Sequence, residues 1–258
     1  MADAPIPDVP PPSDAPETVA LTRERLRSGE IRALLHKHEP TIKTLSDEEL
    51  AASQAAMFPP TGKPQGDVWL FGYGSLIWNP AIEFAEQRCA TVRGLHRRFC
   101  LRTELGRGTP DQPGLVLGLD RGGVCRGVAF RIPREHAETE LEIVWRREMV
   151  TYAYRPRWLK AQTDQGPIDV LGFVINRSSE RYCGQLPEDE AADTIAKACG
   201  FLGPCCEYLF NTVSHLRELG MPDAGLERLA GKVAARQATG AIQPGATQPG
   251  LDARRRSA

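Results

Sequence analysis

Apolar positions change their period along the chain, and the changes divide it into segments. Leu21, Leu26, Ile31, Leu34 and Leu35 recur at helical intervals and predict one helix over residues 21–38. Ser46-Asp47-Glu48-Glu49 has a capping-box opening, with Ser at the cap and Glu three residues on. It predicts a second short helix ending near Phe58-Pro59-Pro60. Beyond Gly66 the texture turns to β-rich runs bounded by Gly, Pro or charge: Val68 to Phe71, Arg88 to Val92, Arg98 to Arg102, Leu115 to Leu119, Val124 to Ile132 and Ile168 to Asn176. Helical patterns occupy residues 133–150, opening on Pro133, and 187–200, opening on Pro187 and three acids. Another covers residues 204–219, closed by Gly220, and Asp223 is placed to cap a last helix reaching Val233-Ala234-Ala235. Strands first, one long helix among them, then helices: the plan is α+β, not a doubly wound alternation.

Composition sharpens the boundaries. Ten of the 21 prolines precede Gln65, whereas only three of the 24 glycines precede Asp67, so the N-terminal part differs in kind from the rest of the chain. Residues 1–20 read as a disordered leader, too poor in large apolar side chains to offset the entropy of ordering. Residues 21–66 read as a helical extension, 67–236 as the main domain, and 237–258 as a flexible tail. The formal net charge of -1 carries none of the basic excess expected of a nucleic-acid binder. No apolar run approaches the roughly 18 residues of a spanning helix, so no membrane association is expected. The acidic leader lacks the basic and apolar regions of a secretory signal. Seven cysteines without C-x-x-C spacing suit free thiols in the cytoplasm better than a disulfide framework or a zinc site. His36 and His38 fall on different helix faces, and no metal site is expected.

Two features bear on chemistry. Val68-Trp69-Leu70-Phe71-Gly72-Tyr73-Gly74-Ser75-Leu76-Ile77-Trp78 is a strand running into a turn that lacks Cβ atoms at two places. Such a turn lets a ligand approach backbone N–H donors closely, and carboxylates or developing oxyanions are what those donors hold. It lacks the third Gly of a dinucleotide fingerprint and the Gly-Lys-Ser/Thr of a P-loop. A plain strand-to-loop junction fits the segment equally well. The second feature is the helix over 135–150, where Ala137, Leu141, Val144, Trp145 and Glu148 share one stripe, with Glu140, Glu142, Arg146 and Arg147 on other faces. A carboxylate in an apolar stripe is costly unless paired or protonated, and burial raises its pKa toward the range of a general base. The alternative is that the helix ends near Glu148 and the side chain turns to solvent or meets an Arg.

With these segments go Gly94-Leu95-His96-Arg97-Arg98-Phe99-Cys100, Gly106-Arg107-Gly108-Thr109-Pro110, Pro113-Gly114, Trp145-Arg146-Arg147-Glu148-Met149 and Glu207-Tyr208-Leu209-Phe210-Asn211. In this order, from about Asp67 to Val233, the chain resembles the ChaC family of γ-glutamylcyclotransferases, and within it the bacterial members. The resemblance implies a small mixed β-barrel with flanking helices. It also implies a cytoplasmic lyase that needs no cofactor and converts glutathione to 5-oxoproline and cysteinylglycine. Carried over residue by residue, Gly72, Tyr73, Gly74, Ser75, Leu76 and Ile77 form the turn that holds the γ-glutamyl moiety, and Glu148 is the proton acceptor. Tyr208 is a further substrate-binding candidate through its motif. Arg97 and Arg102, flanking a strand, are candidates for the glycyl carboxylate, although an Arg at a strand end is commonly just solvated. Where bacterial relatives often carry Asn before this motif, the chain has Cys205-Cys206, which puts the preference at the cysteinylglycine end in question.

The expected activity is therefore glutathione catabolism with a small-molecule partner only, in a chain expected to be a monomer. A cyclotransferase for other γ-glutamyl peptides or amines would keep the same turn and Glu. A non-catalytic cytosolic regulatory module would keep the pocket without needing Glu148.

Overall fold

A computed structural model describes residues 18–241; most of the expected leader and most of the expected tail lie outside them. The expected single helix over 21–38 is two, α1 (Arg23–Arg27) and α2 (Glu30–His38), because the chain turns at Gly29, whose φ of 76° is left-handed. Leu26, Ile31 and Leu35 still point inward, so the apolar period holds where the continuity does not. α3 (Asp47–Ala55) opens with the expected capping box: Glu49 N–H donates to Ser46 Oγ at 3.2 Å and Ser46 N–H to Glu49 Oε2 at 2.8 Å.

The core is a closed five-stranded barrel. Its strands are β1 (Val68–Gly72), β2 (Glu86–Thr103), β3 (Gly114–Ile132), β4 (Tyr154–Thr163) and β5 (Gly166–Ile175), in the order β1-β3-β2-β4-β5. β5 closes the ring by a parallel bridge, Leu70 opposite Leu171. The expected runs 88–92 and 98–102 are one strand, as are 115–119 and 124–132. The punctuation that separates them in sequence is absorbed by irregular pairing: Gly94 on β2 (φ 82°) lies across from Gly122 and Gly123 on β3 (φ 97° and 71°), and the register shifts between Arg93 and Leu95. A bulge between paired strands, not a chain reversal, is what these glycines make.

β4 has no counterpart among the expected strands. Its sequence, Tyr-Arg-Pro-Arg-Trp-Leu-Lys-Ala-Gln-Thr, is charged and carries a Pro, which argues against a strand interior. Ten residue pairs with β5 compensate, and most of its outer side chains stay in water.

α4 (Ser75–Trp78) is a single turn following β1, and α5 (Arg134–Glu148) packs on the barrel with Trp145 edge-on to Phe173 at 5.2 Å. α6 (Glu188–Lys197), the short pair β6 (Cys199–Gly200) and β7 (Gly203–Pro204), α7 (Cys205–Glu218) and α8 (Ala224–Ala241) complete the fold. Asp223 Oδ1 caps α8, accepting from the N–H of Gly225 at 3.1 Å and Leu226 at 3.2 Å. α8 runs a few residues past Gln237, where the sequence predicts a loose tail; Arg236 sustains its last turns by pairing with Asp189 and Asp193 on α6.

Candidate active site

β1 ends at Gly72, the chain beyond it carries Tyr73 and Gly74 to the wall of a small cavity, and α4 turns Ser75 onto the same wall. Gly74 is there because nothing larger fits. A Cβ on it would stand 2.8 Å from Tyr208 Oη and 3.4 Å from Leu117 Cδ1. The Tyr208 ring cannot give way readily, because Trp78 and Phe99 pack against it edge-on at 6.0 Å each. Gly72 is packed against Phe130 and Leu76, Ile77 is core, and Tyr73 is tied down by its hydroxyl donating to Phe173 O at 2.9 Å.

Glu148 is the last residue of α5. It and Ser75, Tyr154 and Tyr208 line both a cavity of about 490 Å³ and a small inner recess of about 20 Å³ floored by Gly74 and Leu117. The Glu148 side chain is 14% exposed. Burial raises its pKa above the usual carboxylate value, and the neighbouring Arg147 charge pulls it back down. Tyr208 is pushed up to about 12, by burial first and by the Glu148 charge second, and Tyr154 is raised well above 10 for the same reasons together with Tyr208. The recess thus sets one ionisable carboxylate among phenols that keep their protons.

Arg147, expected on another face, instead donates from Nε to Glu148 Oε1 at 3.0 Å and from Nη2 to Ser75 Oγ at 2.9 Å, and Nη1 bonds Asn79 O. Helical periodicity places Cα atoms; an arginine at the helix end is long enough to reach round. The same correction applies to Glu140, which is 1% exposed and paired with Arg23 of α1.

Neither strand arginine lines the cavity. The Arg97 guanidinium is buried, donates to Tyr73 O at 2.9 Å and pairs with Asp223 at 3.3 Å, so it braces the turn. Arg102 is exposed. Cys205 and Cys206 are buried at the start of α7 outside the cavity lining; Cys205 donates to Leu115 O at 3.0 Å, and burial pushes it up to about 12. Lining residues without an expected role include Arg107, which pairs with Glu207, and Arg181. The segment before β1 supplies another wall, with Val19 from the end of the expected leader and Leu21, Leu35 and Ile42 from the extension. It is tied across by Val19 N–H to Phe201 O at 2.7 Å and Asn79 Nδ2 to Leu21 O at 3.0 Å.

The family model described as ChaC-like protein matches residues 68–236. A glutathione-specific γ-glutamylcyclotransferase of Escherichia coli (strain K12) is 40% identical over 210 residues, 81% of this chain and 90% of that protein. A glutathione-specific γ-glutamylcyclotransferase 1 of Homo sapiens is 31% identical over 200 residues, 75% of this chain and 89% of that protein. Among solved structures, a γ-glutamyl cyclotransferase specific to glutathione from yeast superposes with a TM-score of 0.62 at 22% identity, covering 68% of this chain and 99% of that one. That likeness extends the agreement to the barrel fold.

Proposed function

Because the chain belongs to the ChaC-like family, we propose that it cleaves glutathione by cyclising the γ-glutamyl group, releasing 5-oxoproline and cysteinylglycine. The observation that carries this reading is the position of Glu148: a desolvated carboxylate with a raised pKa, facing the recess that Gly74 opens. The catalytic unit is residues 67–236, with the 21–66 extension as part of the cavity wall.

The substrate's α-amine, with a pKa of about 8, is mostly protonated and non-nucleophilic at neutral pH. The ammonium first gives one proton to water, and Glu148 takes the second from that nitrogen as it attacks the γ-carbonyl carbon and the C–N bond of the five-membered lactam forms. The old amide C–N bond then breaks, and Glu148 returns the proton to the departing cysteinyl nitrogen. One carboxylate serves as base and then as acid, and the proton first lost to water is matched by the one the liberated cysteinyl amine takes up from it. Backbone donors of the Tyr73–Ser75 turn and the neutral phenol of Tyr208 meet negative charge in this recess, whether on the carbonyl oxygen or on the α-carboxylate. One preorganised donor to a developing oxyanion is worth about 3 kcal/mol. Intramolecular attack supplies much of the rest, since well-oriented ring closures reach effective molarities on the order of 10^5 M.

All seven thiols are free, which fits a reducing cytoplasm, and no described helix is long and apolar enough to cross a membrane. The test is to incubate the purified protein with glutathione and measure 5-oxoproline and cysteinylglycine. Wild type should release both, and Glu148→Gln should lower the rate on the order of 10^3-fold, the usual worth of a general base. Equal rates would remove Glu148 from the mechanism. γ-Glutamyl-alanine and γ-glutamyl-lysine tested alongside measure how far the activity is confined to glutathione.

A further inference from the structure

Three guanidinium groups line the large cavity: Arg107, Arg147 and Arg181. Two have carboxylate partners that also line it, Glu207 and Glu148. Arg181 has none within ion-pair distance among the described residues. Apart from the Tyr154 phenol it feels only the exposed Glu104 from farther off, and desolvation holds its pKa below the usual guanidinium value. A desolvated cation without a counter-ion is expensive, and an anionic ligand would offset the cost.

Its geometry is fixed. The N–H of Arg102 donates to Arg181 O at 2.8 Å, and Arg181 Nε returns a bond to Arg102 O at 2.9 Å, clamping the residue to the end of β2. Nη1 donates to Thr151 Oγ1 at 3.2 Å. Of the five N–H donors of a guanidinium, these use two, and the remainder find no acceptor among the described residues. Arg181 lines the large cavity but not the inner recess around Gly74 and Glu148, whereas Tyr154 lines both and senses the charges of both Glu148 and Arg181. The cavity therefore offers a reacting end at Glu148 and a separate cationic station at Arg181.

We propose that Arg181 receives the C-terminal carboxylate of the leaving dipeptide and thereby sets the preference for a substrate that ends in a free carboxylate. The assignment rests on the γ-glutamyl cyclisation reading. It gives Arg181 the role expected of the strand arginines, with Arg102 contributing its carbonyl as a bracket for the working side chain. A planar fork with unused donors suits a carboxylate better than it suits an amide or an alkyl end.

The experiment compares glutathione with glutathione amidated at its glycine carboxyl, for wild type, Arg181→Lys and Arg181→Met. Wild type should favour the free carboxylate through KM. Arg181→Met should raise KM for glutathione on the order of 30-fold or more, as when one partner of a buried charge pair is removed, with a far smaller change in kcat. It should turn over the two substrates about equally, while Arg181→Lys recovers part of the preference. A preference for the carboxylate that survives unchanged in Arg181→Met would overturn the assignment, whatever happens to the absolute rate. Calorimetric binding of cysteinylglycine and its amide needs no turnover. An Arg181-dependent preference there, without 5-oxoproline release from glutathione, would sink the cyclisation reading and leave the carboxylate site standing. Loss of that dependence alongside normal turnover would do the reverse.

Discussion

Arg147 holds Glu148 from the adjacent position in the chain, Nε to Oε1 at 3.0 Å, while its other arm reaches Ser75 at the end of the glycine turn. The pair sets an electrostatic compromise. Burial raises the Glu148 pKa, and Arg147 restrains the rise.

The base must be ionised to act, so activity should fall as pH drops through that raised pKa and recover above it. Arg147→Met removes the restraint and should move this acidic limb to higher pH, while Arg147→Lys, which keeps the charge, should leave it nearer wild type. The measurement is the pH dependence of kcat/KM. A purely structural Arg147 would lower the rate at every pH and leave the limb where it is.

Gly74 and Tyr208 occupy one space between them. Gly74→Ala puts a methyl within 2.8 Å of the phenol oxygen, which Trp78 and Phe99 prevent from retreating, so the turn must move instead. A displacement near 1 Å at a reacting centre costs on the order of 100-fold in kcat/KM. Removing the oxygen makes room. In a Tyr208→Phe background the same Gly74→Ala change should therefore cost clearly less than it does alone. Strict additivity of the two substitutions would show that the clash is not what makes glycine necessary there.

What the sequence disclosed about this site is what depends on neighbours in the chain. The Gly-x-Gly-Ser turn, the capping box at Ser46 and the apolar stripe of α5 are local patterns that the chain folds nearly as read. At Glu148 the alternative holds in part, since the helix ends there and the carboxylate meets Arg147 while staying largely buried. Tertiary pairing hid the rest. Arg147 is bonded to residues 68 and 72 positions earlier in the chain, and Arg181 is bracketed by β2, 79 positions away. β4 lacks an apolar alternation, because its stability comes from pairing along β5, which no pattern within ten residues can reveal. The barrel itself was accessible through family resemblance alone, since closure joins β1 to β5 by a parallel bridge between Leu70 and Leu171.

Thiol chemistry should be separable from catalysis. Of the seven cysteines Cys89 is the exposed one, while Cys100 and Cys205 are buried and both pushed up to about 12. Thiolates, not thiols, react with iodoacetamide, so brief alkylation of the native protein should mark Cys89 first. Peptide mapping locates the adduct, and 5-oxoproline release should be unchanged at one adduct per chain. Inactivation in step with Cys89 labelling would mean that a thiol participates after all.

The first helix of the N-terminal extension, α1, should be held in place chiefly through one buried carboxylate. Glu140 is 1% exposed, accepts from Arg23 Nη2 at 2.6 Å and from the Glu83 N–H at 3.0 Å, and so joins α5 to α1 and to the loop before β2. Cutting the arginine away leaves a carboxylate in the interior with a single backbone donor. Arg23→Met should cost about 3 kcal/mol, the low end for breaking a buried pair, because the Arg23 side chain itself keeps some contact with water. Glu140→Gln should cost less. The charge left behind is then the arginine, which is 21% exposed and can turn toward solvent, while the amide oxygen can still accept from Glu83. Urea unfolding midpoints give the order: wild type, then Glu140→Gln, then Arg23→Met. The same loosening should reach the site, because Leu21 and Leu26 on either side of Arg23 line the large cavity; Arg23→Met should raise KM for glutathione more than it lowers kcat. If Arg23→Met unfolds at the wild-type urea concentration, Glu140 is satisfied without Arg23, and the extension is held by its other ties, among them Leu45 N–H to Val150 O at 3.1 Å and Trp145 Nε1 to Ser53 Oγ at 3.2 Å.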